Sequence, residues 1–198
     1  MTRSPASDPA AEIARAVDAY RDSNDRSALL HKLLAIADGA DLDALIAAVE
    51  PYRTVPEIAG PVYERVVAER PHDARALVTL ENSYWLSGRG AEATGELAAR
   101  AIAADPDHRG AWHLWALTEP DPRARMGRWK QVTERFPDDE LARATLADAA
   151  ASLAGAERDR EALQLAIRTY DGLLKTADQP EQRAALEQAL STLRSWSL

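Results

Sequence analysis

Three prolines constrain this chain more than any other feature. Pro71, Pro106 and Pro137 stand 35 and 31 residues apart, and each closes a stretch with the hydrophobic period of a helix. Each is followed by an acidic or His-containing pair: His72-Asp73, Asp107-His108 and Asp138-Asp139. Proline lacks an N–H and pushes the residue before it out of the helical region, so each one ends a helix. The pairs behind them suit the start of the next helix, where short polar side chains cap free N–H groups and acids meet the positive end of the dipole. Amphipathic helices cut at this period must stack on neighbours, because a single helix pair leaves one apolar face uncovered.

The clearest unit runs from Arg70-Pro71-His72-Asp73 to Asp105-Pro106-Asp107-His108. Over 74–87, Leu77, Leu80, Tyr84 and Leu86 fall on one stripe at helical spacing. Asp73 is the expected N-cap, and Gly88 with Gly90 supply the left-handed backbone that stops the helix. A second pattern over 91–105 turns Ala93, Leu97, Ala101 and Ile102 inward. Flanking copies are weaker. Ala59, Tyr63 and Val66 precede Pro71 at the spacing Ala-x3-Tyr-x2-Val-x4-Pro, and Trp112 and Trp115 follow Pro106 as Leu77 and Leu80 follow Pro71.

In these residues the chain resembles the tetratricopeptide repeat, a 34-residue helix pair, over roughly residues 40 to 175. The array is degenerate. Glu81 and Ala116 stand where the family has glycine, and Glu119-Pro120-Asp121-Pro122 cuts the following unit short. The resemblance implies an all-α solenoid of stacked antiparallel helix pairs in a right-handed superhelix, forming one domain over 9–198. A single helix from about Pro180 to Trp196, carrying Leu186, Leu190 and Leu193, would cap it. The first eight residues are expected to be disordered.

The remaining helices follow from periodicity. Before the central unit they are 9–22 (Ile13, Val17, Tyr20 inward), 25–37 (Leu29, Leu30, Leu33, Leu34, Ile36), 41–50 (Leu42, Leu45, Ile46, Val49) and 56–69. Pro51 ends or kinks the third, and Gly60-Pro61 leaves the fourth with either an irregular first turn or a start near Pro61. After the central unit they are 109–118 (Trp112, Trp115, Leu117) and 121–135 (Met126, Trp129, Val132). Then come a helix from Asp138-Asp139 to Gly155 (Leu141, Leu146, Leu153) and 157–175 (Leu163, Ile167, Tyr170, Leu174).

Charge and composition narrow the function. The net charge is −8, and lysine occurs only at positions 32, 130 and 175, so no cationic face for nucleic-acid phosphates is expected. There are no cysteines, which excludes disulfides and thiolate chemistry. The start MTRSPASDPA has no apolar core of a signal peptide, and the longest apolar run, Ala44 to Val49, is too short to cross a bilayer. A cytoplasmic protein without membrane contact is expected. No HExxH, phosphate-binding glycine loop or GxSxG is present, and His72 and His108 sit in turns where capping explains them. The expectation is a non-catalytic protein without cofactor, with an unrecognised acidic metal site as the enzymatic alternative.

By the resemblance, the first helix of each pair lines a concave face that receives peptides. This places Arg75, Val78, Asn82 and Trp85 of the central unit, His113 and Leu117 of the next, and Ala144 and Asp148 of the one after on that face. Trp85 follows Tyr84, so it faces either the groove or the preceding repeat. Asn82 matches a position where family members hold a ligand's backbone or terminal carboxylate. Leu117 replaces the second amide such a clamp needs, so a chaperone-tail clamp is not expected. The function implied is a protein–protein scaffold or adaptor. The competing expectation is a homodimer formed through Leu29, Leu33 and Leu34, or through Leu190 and Leu193.

Overall fold

The computed structural model describes residues 8–197. The expected disordered start therefore falls, apart from Asp8, outside the described residues. Eleven α-helices and no strand occur among them: α1 Pro9–Ser23, α2 Arg26–Gly39, α3 Leu42–Val49, α4 Pro56–Glu69, α5 Ala74–Leu86, α6 Ala91–Ala104, α7 Arg109–Leu117, α8 Pro122–Arg135, α9 Glu140–Glu157, α10 Arg160–Thr176 and α11 Pro180–Arg194. A 3-10 turn, Glu50–Tyr52, follows α3. The fold is an all-α helical repeat of the solenoid class.

The helices gather into two compact units, Met1–Leu114 and Trp115–Leu198, which divide within α7. In the first, α1 packs on α2 and α3, α2 on α4, α4 on α5, and α5 on α6. In the second, α8 packs on α9, α9 on α10, and α10 on α11. One continuous core fills the first unit, with Ile13, Leu33, Leu45, Val62, Val66 and Leu77 fully buried.

The three prolines build the same turn. The N–H of Asp73 donates to the Arg70 carbonyl, that of His108 to Asp105 and that of Asp139 to Phe136, each at 3.1 Å and each across the proline. Proline suits the second position of such a turn because its φ is already set. The fourth residue then caps the next helix: Asp73 accepts from Ala76 N–H and Asp139 from Ala142 N–H, both at 3.0 Å. His108 takes the same role, its Nδ1 accepting from Ala111 N–H at 3.3 Å. Aspartates at positions 8, 25, 41, 121 and 159 cap α1, α2, α3, α8 and α10 in the same way. Much of the negative charge thus lies at helix starts, where the dipole accommodates it.

Several inward assignments are corrected. On α2 only Leu29, Leu33, Ile36 and Ala37 are buried, while Leu30 and Leu34 face out at 42% and 40% exposure. Leu29, Leu33, Leu190 and Leu193 all lie in the chain's own core, so of the leucines expected to pair two copies only Leu34 is exposed. Leu86 and Leu141 are exposed rather than core, and Leu117, placed on the concave face, is exposed as well. On α7 the buried positions are Ala111 and Ala116, with Trp112 and Trp115 half-buried. On α10 Ala162, Ala166 and Leu173 are buried, and Leu163, Ile167, Tyr170 and Leu174 are half-buried around them. Helix α4 starts at Pro56 and runs unbroken through Pro61, which settles the choice at Gly60-Pro61. Buried Gly60 faces Ser83 of α5, whose Cβ would lie 3.7 Å from a Cβ built at Gly60.

Glu81, at a position where the tetratricopeptide repeat that the chain resembles has glycine, is fully buried, and neither carboxyl oxygen has a hydrogen-bond partner among the described residues. Burial alone raises its pKa from 4.5 to about 9. The folded chain therefore binds this proton more tightly than the unfolded chain does. Stability should be greatest below the unfolded value and fall as pH rises towards the folded one. Holding the group neutral at pH 7 costs roughly 3 kcal/mol, at about 1.36 kcal/mol per pH unit. Glu81→Met, which conserves volume and removes the charge, should raise the urea midpoint at pH 8 and much less at pH 5. Equal shifts at both pH values would show that Glu81 does not titrate as described.

Candidate functional site

Arg75, Val78, Asn82 and Trp85 follow one another at helical spacing along α5, on a different face from the buried Leu77 and Leu80. Opposite part of this stripe lies the first turn of α7. Between them opens a solvent-accessible cleft of about 320 Å³, walled by Val78 and Asn82 of α5, His113 and Leu114 of α7, and Arg53 and Thr54 after the 3-10 turn. Gly110 also lines it. A Cβ there would come within 3.2 Å of the His108 ring and 3.7 Å of Val78 Cγ1, so the missing side chain keeps the capping histidine in place and the wall thin. The cleft joins an aliphatic wall to an amide, an imidazole, a hydroxyl and a guanidinium, a mixture suited to a peptide. The Asn82 amide makes no hydrogen bond among the described residues.

Electrostatics at one end are asymmetric. Arg75 Nη2 donates to Glu50 Oε1 at 3.0 Å, and Arg53 Nε lies 3.7 Å from the same oxygen. One carboxylate thus serves two guanidiniums. Tyr63 lies beneath: burial raises its pKa first and the Glu50 charge adds to this, while a hydrogen bond with Thr79 and the charges of Arg75 and Arg53 oppose it.

Of the positions expected to bind a partner, Val78, Asn82 and His113 therefore share one cleft, and Arg75 reaches the Glu50 cluster beside it. Trp85 lies one turn beyond Asn82, 42% exposed, outside the cleft lining. Its neighbour Tyr84 turns to α4, donating its hydroxyl to Glu64 at 3.0 Å beneath the guanidinium of Arg89. Leu117, Ala144 and Asp148 belong to the second unit. There Leu117 is 38% exposed, and Asp148 accepts a hydrogen bond from Tyr170, whose pKa is raised by burial and by that carboxylate. Arg53, Thr54 and Gly110 had no mark in the sequence. They lie outside the helical stripes, and only the chain path after Pro51 brings the first two to α5.

Among the described residues no group of three or more His, Asp or Glu is placed to hold a metal. None of their helices is long and apolar enough to cross a membrane.

The difference between wall and core gives a stability test. Asn82→Ala and Trp85→Ala should each change unfolding free energy by less than about 0.5 kcal/mol, whereas Leu77→Ala should cost about 2–5 kcal/mol. Urea unfolding at fixed pH measures all three. A cost for Trp85→Ala as large as that for Leu77→Ala would make Trp85 a core residue.

No protein-family model matches the chain, and no curated protein does. Solved structures do match. The crystal structure of MamA superposes with a TM-score of 0.59 at 17% identity, over 82% of this chain and 96% of that one. TTC0263, a thermophilic TPR protein of Thermus thermophilus, gives 0.54 at 17% identity, over 92% and 98%. PilF of Pseudomonas aeruginosa gives 0.52 at 18% identity, over 96% and 93%. With its closing-proline turns and paired helices, the chain has the fold of the tetratricopeptide-repeat proteins.

Proposed function

We propose that this chain is a non-catalytic interaction scaffold, working in the cytosol, that holds a peptide or an extended segment of a partner protein against α5 of the first unit. One observation carries the reading: Val78, Asn82 and His113, drawn from two separate helices, converge on a single open cleft. Val78 and Leu114 would take an aliphatic side chain, and Asn82 would meet the ligand's backbone. Trp85 would supply an aromatic anchor at the edge, a residue type that carries much of the energy at protein interfaces. Leu117 and Asp148 would be partner contacts of the second unit, taken by itself. The fold supports an interaction role by analogy, and the mixed side chains of the cleft are the reason for proposing it there.

The test is affinity capture from the source cell's lysate, with the wild type beside Asn82→Ala/Trp85→Ala. A partner retained by the wild type and lost by the folded double variant is expected. Retention of the same partners by both baits would rule out the α5 groove. Self-association is checked on the same samples by light scattering. A mass that stays at 21.6 kDa as concentration rises excludes the homodimer.

A further inference from the structure

The charges at the end of the cleft point to the kind of segment it takes. The chain carries a net charge of −8, yet here two guanidiniums surround one carboxylate. The Arg75 and Arg53 side chains are 68% and 48% exposed, so both can turn to a ligand without losing Glu50. Cationic lining is not peculiar to this cleft, since the one between α1 and α2 has Arg15 and Lys32 beside Glu12. What sets this one apart is that two guanidiniums stand on one carboxylate beside an aliphatic wall, whereas Arg26 has its own partner in Glu57 at 2.6 Å and Arg89 has Glu64 at 3.2 Å.

Resting on the groove reading above, we propose that the first unit recognises an acidic internal segment of its partner: an Asp or Glu side chain between Arg53 and Arg75, followed by an aliphatic residue on Val78 and Leu114. The two arginines share Glu50 at 3.0 and 3.7 Å, leaving one positive charge that a single carboxylate neutralises. A guanidinium can present two parallel donors to a carboxylate, which gives the contact direction as well as charge. The exposure of both side chains suits a segment passing along the cleft, with no need for a chain end. Because the pair is exposed, salt screens it and the contact selects a partner more than it tightens binding.

The experiment is selection of a random peptide library, displayed so that no peptide has a free C-terminus, on the full chain at low salt. Selected peptides are then titrated by fluorescence anisotropy. The expected result is peptides with an Asp or Glu next to an aliphatic residue. Their affinity should fall about tenfold on Arg53→Gln/Arg75→Gln and on replacing the peptide acid by its amide, and should weaken as salt rises. Peptides without acids that bind wild type and the arginine variant equally, and are lost by Asn82→Ala/Trp85→Ala, would overturn the acidic preference while the groove reading stands. Peptides insensitive to both variants, or no selection at all, would overturn the two together.

Discussion

A hydrogen bond across a proline organises this molecule. At Arg70–Asp73, Asp105–His108 and Phe136–Asp139 the backbone closes one turn, ends one helix and begins another within four residues. Each turn serves both helices at once. Its first carbonyl is met by an N–H, and the fourth residue's side chain meets the next helix. Histidine at position 108 shows that the requirement is for an acceptor at that point: Nδ1 serves where Asp73 and Asp139 use carboxylates. On either side of the first and third turns the joined helices pack on each other, α4 on α5 and α8 on α9.

Close helix approach is the second requirement, met by small residues. Gly60 faces Ser83 across α4 and α5. Glu81 breaks this pattern. It places a carboxyl at a position the family fills with glycine, and the interior keeps it protonated rather than paired. The fold tolerates it because the rest of the first unit is a continuous apolar core. Stability is the quantity that suffers, and it suffers more as the solution becomes more alkaline.

Charge has two separate uses in the chain. Most helix-start aspartates serve the backbone and hold their helices in place. Arginines bridge neighbouring elements, as Arg70 does to Asp43 and Arg194 to Asp171. Near α5 the same chemistry leaves a surplus, because among the described residues Arg53 and Arg75 share the one carboxylate of Glu50. An acidic protein thereby presents a local cation beside an aliphatic wall.

Period, proline and cap are local properties, so the helices, their closing turns and the all-α repeat class were legible from the residues alone. Helix ends came within a few residues, and the stripe Arg75–Val78–Asn82–Trp85 came from the resemblance to the tetratricopeptide repeat, carried over by position. Burial was less legible: Leu86 and Leu141 looked like core but face solvent, because a period marks a stripe and not the helix that will cover it. Only packing made Leu29 and Leu33 core while leaving Leu30 and Leu34 outside. It also brought Arg53 and Thr54 to the cleft and sealed Glu81 from water. These are consequences of contact between elements distant in the chain, and no local pattern encodes the distance between two helices.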